Sequence, residues 1–152
     1  MSKNISIYTD GASRGNPGPG GYGTVLLYGQ HRKELSQGFR LTTNNRMELL
    51  AVIVGLEALK QENLNVSVTS DSKYVVDAVE KGWVFNWEKK KFVKRKNPDL
   101  WKRFLIIYRK HNVKFYWIKG HSDHPLNERC DELAVDAALY GELLIDEGYE
   151  QG

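Results

Sequence analysis

Asn4-Ile5-Ser6-Ile7-Tyr8-Thr9-Asp10-Gly11 opens the chain with Ile5, Ile7 and Thr9 alternating against Ser6 and Tyr8, and a period of two is the spacing of a β-strand. Asp10 ends that run. Residues 11–23 are then punctuated by Gly15, Pro17, Gly18, Pro19, Gly20 and Gly21, a turn-forming composition. Residues 22–28 and 34–41 read as two further strands, so the start of the chain predicts an antiparallel meander. The period changes over residues 46–60, where Met47, Leu50, Ala51, Val54 and Ala58 share one helical face and Asn44 or Asn45 is available as the cap. Val66 and Val68 mark a fourth strand closing at Ser70-Asp71, and Val75, Val76 and Val79 give a helix over residues 73–80. Pro98 suits the first turn of a helix over residues 99–110, with Leu100, Phe104, Ile107 and Tyr108 on its apolar side. A strand over residues 113–118, a loop over 119–126 and a helix capped by Asn127 and running to residue 140 complete the order. Three strands, helix, strand, helices, strand, helix implies an α/β fold: a five-stranded mixed sheet, antiparallel and then parallel, flanked by helices.

The 152 residues fit one domain, since single cores organise between about 50 and 200 residues. With 41% hydrophobic and 27% charged residues, the composition excludes wholesale disorder. The longest apolar run, residues 49–56, has eight members, short of the roughly 18 that span a bilayer. Met1-Ser2-Lys3-Asn4 lacks the apolar stretch of a secretory signal. One cysteine, Cys130, can form neither an internal disulfide nor a cysteine-based metal cage. A cytoplasmic protein without membrane attachment is the expectation. The net charge of +3 is unevenly spread: residues 87–103 hold eight cations against Glu88 and Asp99, a local +6 that leaves −3 elsewhere. Trp83, Trp87, Phe92 and Trp101 flank or interrupt these cations. Aromatic rings beside phosphate-binding groups suit a nucleic-acid backbone; a solvated lysine-rich surface is the other reading of the run.

Gly18-Pro19-Gly20-Gly21-Tyr22-Gly23 matches the glycine fingerprint of dinucleotide-binding folds, but that fingerprint must open a helix, and these glycines run into the strand-like Thr24-Val25-Leu26-Leu27. The carboxylates point elsewhere. Asp10 and Asp71 each close a strand, and sites in α/β sheets gather at the carboxyl ends of strands. Glu48 sits among Met47, Leu49, Leu50 and Ala51; Asp131 lies in the first turns of the last helix beside Cys130. Each has a local explanation: Asp10 as a turn residue, Asp71 as a helix cap, Glu48 in an Asn45-x-x-Glu48 capping box, Asp131 as a partner of the helix dipole. Converging, the four would make a hard-oxygen site for divalent cations, and Mg²⁺ held by carboxylates plus substrate phosphate is the usual arrangement. Two such ions roughly 4 Å apart activate water on one side of a phosphodiester and stabilise the leaving oxygen on the other. Asp136 is turned by about 140° from Asp131 around the helix and belongs to solvent. His121, in the preceding loop, is placed to accept or relay a proton near neutral pH; His31 and His111 read as surface residues and His124 as part of the loop.

Six blocks of the chain resemble type 1 ribonuclease H: Tyr8-Thr9-Asp10-Gly11, residues 15–23, Thr43-Asn44-Asn45-Arg46-Met47-Glu48-Leu49, Thr69-Ser70-Asp71-Ser72, Trp117-Ile118-Lys119-Gly120-His121, and Asn127-Glu128-Arg129-Cys130-Asp131-Glu132-Leu133-Ala134. The likeness runs from Ile5 to the last helix. It implies the ribonuclease H-like fold and a Mg²⁺-dependent endonuclease that cuts the RNA strand of an RNA/DNA hybrid, leaving 3′-hydroxyl and 5′-phosphate ends. Position by position it implies that Asp10, Glu48, Asp71 and Asp131 hold two Mg²⁺ ions, with Mn²⁺ a substitute, and that His121 assists proton transfer or product release. Asn16, Asn44 and Asn45 would lie near the minor groove, where amides reach base edges and 2′-hydroxyls. Thr43 and Asn97 match positions that grip a DNA-strand phosphate. Trp83, Trp87 and the cations of residues 89–96, with Lys89, Lys90 and Lys91 leading, match a basic protrusion over residues 83–97 that packs against the DNA strand. Lys73 departs from the pattern, standing at a minor-groove position where related enzymes often carry glutamine. The resemblance further implies a single catalytic domain over residues 1–152 without a separate hybrid-binding module, of limited processivity, and acting as a monomer. Two other readings remain: a non-catalytic nucleic-acid-binding module whose acids are caps, and another nuclease of the same fold.

Overall fold

The computed structural model describes residues 4–120 and 124–152. The meander is formed by β1 (Asn4–Ser13), β2 (Gly18–Tyr28) and β3 (His31–Thr42), with Ile5, Ile7 and Thr9 of β1 buried as their alternation predicts. α1 (Asn44–Glu57), β4 (Asn65–Ser70), α2 (Lys73–Glu80), α3 (Trp83–Lys89), α4 (Pro98–Tyr108), β5 (Asn112–Trp117) and α5 (Pro125–Tyr140) follow. The chain closes with β6 (Leu143–Leu144) and a single turn, α6 (Glu147–Glu150). The strands lie in the order β5-β4-β1-β2-β3-β6. Pairing is antiparallel within the meander and parallel for β1–β4, β4–β5 and β3–β6. The sheet therefore has six described strands where the sequence predicts five. β6 is two residues long, too short to show a period, and pairs with Gly38 and Phe39 only because α5 returns the chain to that edge.

Helices lie on both faces. α1 packs against β1 and β2 and carries α4 on its other side, so ten of its residues are buried and it has no polar face. α5 crosses β1, β2 and β3 on the opposite side. Its approach explains glycines that read as a turn in the sequence. Strand pairing runs through Ser13 and resumes at Gly20, and a Cβ on Gly23 would overlap the carbonyl oxygen of Cys130 and sit 2.7 Å from the Leu133 Cβ. Absence of a side chain there is a packing requirement on the face that α5 covers.

Two caps differ from expectation. Thr43, rather than Asn44 or Asn45, caps α1, its Oγ1 accepting from the Arg46 amide at 3.3 Å. α5 starts at Pro125, with His124 before it, so Asn127 is already inside the helix; proline is well suited to the first helical turn because its missing N–H has no partner to lose there. Residues 83–97 contain α3, which periodicity does not single out because only Val84 of its residues is buried. The core beneath is aromatic: Trp101 and Phe104 are fully buried and meet edge-to-face with ring centroids 5.5 Å apart. Among the described residues, no helix is long and apolar enough to cross a membrane.

Candidate active site

Parallel pairing of β1 with β4 ends at Thr9↔Ser70, so Asp10 and Asp71 each follow the last paired residue and lie side by side across neighbouring strands. β1 does not stop at Asp10 as the sequence suggests; it continues to Ser13 against β2 alone. Glu48 arrives from α1. A Cβ on Gly11 would overlap the backbone of Met47 and Glu48, so glycine is what lets the helix descend onto the strand. The Gly11 N–H then donates to Asp10 Oδ1 at 2.9 Å and to Glu48 Oε1. One carboxylate oxygen from each of Asp10, Glu48 and Asp71 consequently lies within 4.8 Å of the other two. Asp131 stands outside that triad but lines the same cleft, of about 550 Å³, from α5. Asp136 is exposed on another face of α5.

The capping roles open to Asp71 and Glu48 give way to the geometry. Ser72, not Asp71, caps α2, its Oγ accepting from the Val75 amide at 3.3 Å. Glu48 accepts from Gly11 rather than from the end of its own helix. Asp10 is 7% and Glu48 5% exposed, and burial of a carboxylate disfavours its charged form. Burial, and then the charge of Asp71, raises Asp10 to about 7. Burial, followed by the charges of Asp10 and Asp71, holds Glu48 well above the ordinary glutamate range. Among the described residues, no basic side chain pairs with any of these acids. Crowded, buried, unneutralised oxygens are the donor set that a hard divalent cation satisfies.

The other expected residues divide between two adjoining clefts. Asn44, Asn45 and Lys73 line the acidic cleft together with Asn127 and Glu128, which lie just N-terminal to Asp131 on α5. Lys73 is held with its Nζ 4.8 Å from the ring centroid of Trp117, whose indole Nε1 donates to the carbonyl of Asp71 at 3.1 Å. Trp117 thus borders the site, a role its strand position alone does not announce. Asn16, Thr43 and Asn97 line the neighbouring cleft, of about 810 Å³, and Asn45 belongs to both linings. Asn16 Oδ1 accepts from the Asn44 amide at 3.1 Å, tying the first hairpin to the start of α1. Trp83 is 44% exposed, whereas Trp87 is half-buried, edge-on to Trp101 and covered by the Arg95 guanidinium at 5.1 Å. Lys89, Lys90 and Lys91 are exposed. His121 lies outside the described residues. Cys130 is buried, and burial pushes its thiol up to about 12, which leaves it protonated and unreactive.

Comparison with known proteins places this architecture. The RNase H family model matches residues 2–139. A protein named Ribonuclease H from Desulforamulus reducens is 60% identical over 149 residues, covering 95% of this chain and 93% of that one. Another, from Aeromonas salmonicida, is 53% identical with 99% of each chain covered. Among solved structures, LC9-RNase H1, described as a type 1 RNase H with the type 2 active-site motif, superposes with a TM-score of 0.82 at 31% identity, covering 99% of this chain and 81% of that one. LC11-RNase H1 in complex with an RNA/DNA hybrid gives 0.68 at 31% identity, covering 88% and 96%.

Proposed function

Since the chain belongs to the RNase H family and is an endonuclease that hydrolyses the RNA strand of RNA/DNA hybrids, we propose that Asp10, Glu48, Asp71 and Asp131 are its catalytic carboxylates and that they hold two Mg²⁺ ions, for which Mn²⁺ can substitute. The observation that carries this reading is the meeting of three carboxylate oxygens within 4.8 Å, with no basic side chain paired to them among the described residues. When bound, two divalent ions supply an activated water on one side of the scissile phosphate and charge stabilisation for the departing 3′ oxygen on the other. The chain's own part is preorganisation. The Gly11 amide holds Asp10 and Glu48 in one geometry, and the strand register sets Asp71 beside Asp10. Asp131 lines the cleft from α5; His121, which precedes that helix in the sequence, is assigned the transfer of a proton or the release of product.

Around this centre, Asn16, Asn44, Asn45 and Lys73 are assigned to the RNA strand and minor groove, and Thr43 and Asn97 to a DNA-strand phosphate. Trp83, Trp87, Lys89, Lys90 and Lys91 are assigned to the DNA backbone, within a protrusion over residues 83–97 of a single catalytic domain. Support for that division comes from the two adjoining clefts and from the exposure of the three lysines. The enzyme is read as a cytoplasmic monomer.

A Mg²⁺ titration on a hybrid labelled separately in each strand is the direct test. Cutting of the RNA strand alone, dependent on the metal and abolished in Asp10→Asn, is expected. Equal cutting of duplex DNA would move the chain to a different nuclease of the same fold.

A further inference from the structure

Arg46 is 2% exposed and contributes to the lining of the cleft that Thr43 and Asn97 share. Its guanidinium is saturated. Nε donates to Asp146 Oδ2 at 2.7 Å, Nη2 to Asp146 Oδ1 at 2.9 Å and Asp99 Oδ2 at 2.7 Å, and Nη1 to Asp99 Oδ1 at 2.9 Å and Asn97 Oδ1 at 3.2 Å. Five N–H groups meet five acceptors, so Arg46 has no donor left for a substrate. Its contact with Asn97 has a different consequence.

A free asparagine amide can present either its oxygen or its N–H₂ to a ligand, and a phosphate oxygen accepts only from the N–H end. Arg46 occupies Oδ1 of Asn97, while Nδ2 donates to Tyr74 Oη at 3.0 Å, an oxygen that also accepts from Trp101 Nε1 at 2.8 Å. Turning the amide over would set its N–H₂ against the guanidinium and lose the Arg46 bond, whereas the Tyr74 hydroxyl can serve either end of the amide by donating or accepting, so Arg46 is the partner that selects the orientation. The remaining Nδ2–H is left for the cleft that Asn97 lines. The orientation of Asn97 therefore depends on where Arg46 is held, and Asp146 holds it through two of the five bonds.

Asp146 is itself fixed. It is buried, its Oδ2 accepts from Thr42 Oγ1 at 2.6 Å, and its Oδ1 accepts from the Tyr149 amide at 3.3 Å. The segment behind it is drawn onto the same cluster. A Cβ on Gly148 would stand 2.7 Å from Arg46 Nη2 and overlap the Asp99 carboxylate, and Glu147, Gly148, Tyr149 and Gln151 line the same cleft as Asn16 and Thr43.

We propose that Asp146 is a positioning residue for substrate binding, acting through Arg46 to keep the N–H end of the Asn97 amide facing the cleft, so that residues 146–152 complete the phosphate subsite from outside the catalytic centre. This rests on the reading that Asn97 contacts a DNA-strand phosphate. The test compares steady-state cleavage of a hybrid by the full-length enzyme and its Asn97→Ala, Asp146→Asn and doubly substituted forms. Loss of a hydrogen bond to a charged group predicts that Asn97→Ala raises KM about tenfold. Asp146→Asn should raise KM several-fold with kcat within about twofold, and the double variant should be no worse than Asn97→Ala, the non-additivity expected of residues acting in series. A purely structural role would not produce that equality. If Asp146→Asn does not fold, Thr42→Val, which removes only the hydroxyl that donates to Asp146, replaces it in the cycle. An unchanged KM in Asn97→Ala overturns the phosphate reading and the proposal with it. A raised KM in Asn97→Ala with no change in Asp146→Asn, or with additive effects, overturns the positioning role and leaves the phosphate reading standing.

Discussion

Asp10 shows how much a single residue's surroundings decide. Its motif neighbours, Thr9 and Gly11, identify it as a candidate, but burial and the adjacent Asp71 raise its carboxyl to about 7. The folded protein thus binds that proton more tightly than the unfolded chain, whose aspartate stays near 3.8. Stability from this group is full below about pH 4 and falls as pH rises towards 7. Asp10→Asn is expected to abolish turnover in the presence of divalent metal and, with the metal removed, to make the protein more stable at pH 8, by on the order of 1–3 kcal/mol, while leaving stability at pH 4 nearly unchanged. Urea unfolding at the two pH values in the presence of a chelator measures this; equal stability of both proteins at pH 8 would count against the raised carboxyl. Added Mg²⁺ reverses the balance. A ligand at one hundred times its dissociation constant adds about 2.7 kcal/mol, so millimolar Mg²⁺ should raise the unfolding midpoint of the unsubstituted enzyme and leave that of Asp10→Asn far less affected.

At the scale of elements, the sequence locates strands and helices well where they carry a regular period and poorly where tertiary packing overrides composition. α2 spans residues 73–80 as the valine spacing predicts. Residues 18–21 read as turn because glycine and proline dominate, yet they are strand, and Gly21, like Gly23 after it, lies where α5 leaves no room for a Cβ. Gly23→Ala should therefore destabilise by about 1–3 kcal/mol through overpacking, measured by urea unfolding, although alanine is the better residue for a regular backbone. α3 and β6 escape a reading by period because one buries a single residue and the other is two residues long. The segment that starts at the last residue of α3, residues 89–96, nevertheless carries the clearest charge signal. If Lys89 at the end of α3 and Lys90 and Lys91 beyond it grip the backbone, replacing all three by alanine should raise KM and reduce the slope of log KM against log salt by up to about 3, with kcat retained. A slope equal to that of the unsubstituted enzyme would remove the lysines from the interface.

For the whole molecule, the Arg46 cluster joins the start of α1 to α4 and to the chain's last residues, about one hundred positions away. Asp146→Ala strips a buried guanidinium of two acceptors and is expected to cost about 2–4 kcal/mol, read from chemical unfolding. Arg40→Ala, which breaks only the exposed pair with Glu150, should cost less than about 1 kcal/mol. The charge asymmetry also belongs to this scale. Net +3 divides into a basic stretch that follows α3 and an acidic cleft where the pairing of β1 with β4 ends, the first suited to a polyanion and the second repelling one until cations are bound.

What the sequence determined by itself is what contiguous residues can encode: strand and helix periods, most of the order of elements, the concentration of cations, and the short blocks that single out four acids as candidates. What only the tertiary structure decided depends on residues far apart in the chain. The register Thr9↔Ser70 sets Asp71 beside Asp10, Gly11 admits Glu48, and Arg46 ties Asn97 to Asp146. The physical reason is that each of these meetings is fixed by hydrogen-bond register and close packing between elements, and neither has a signature in local composition.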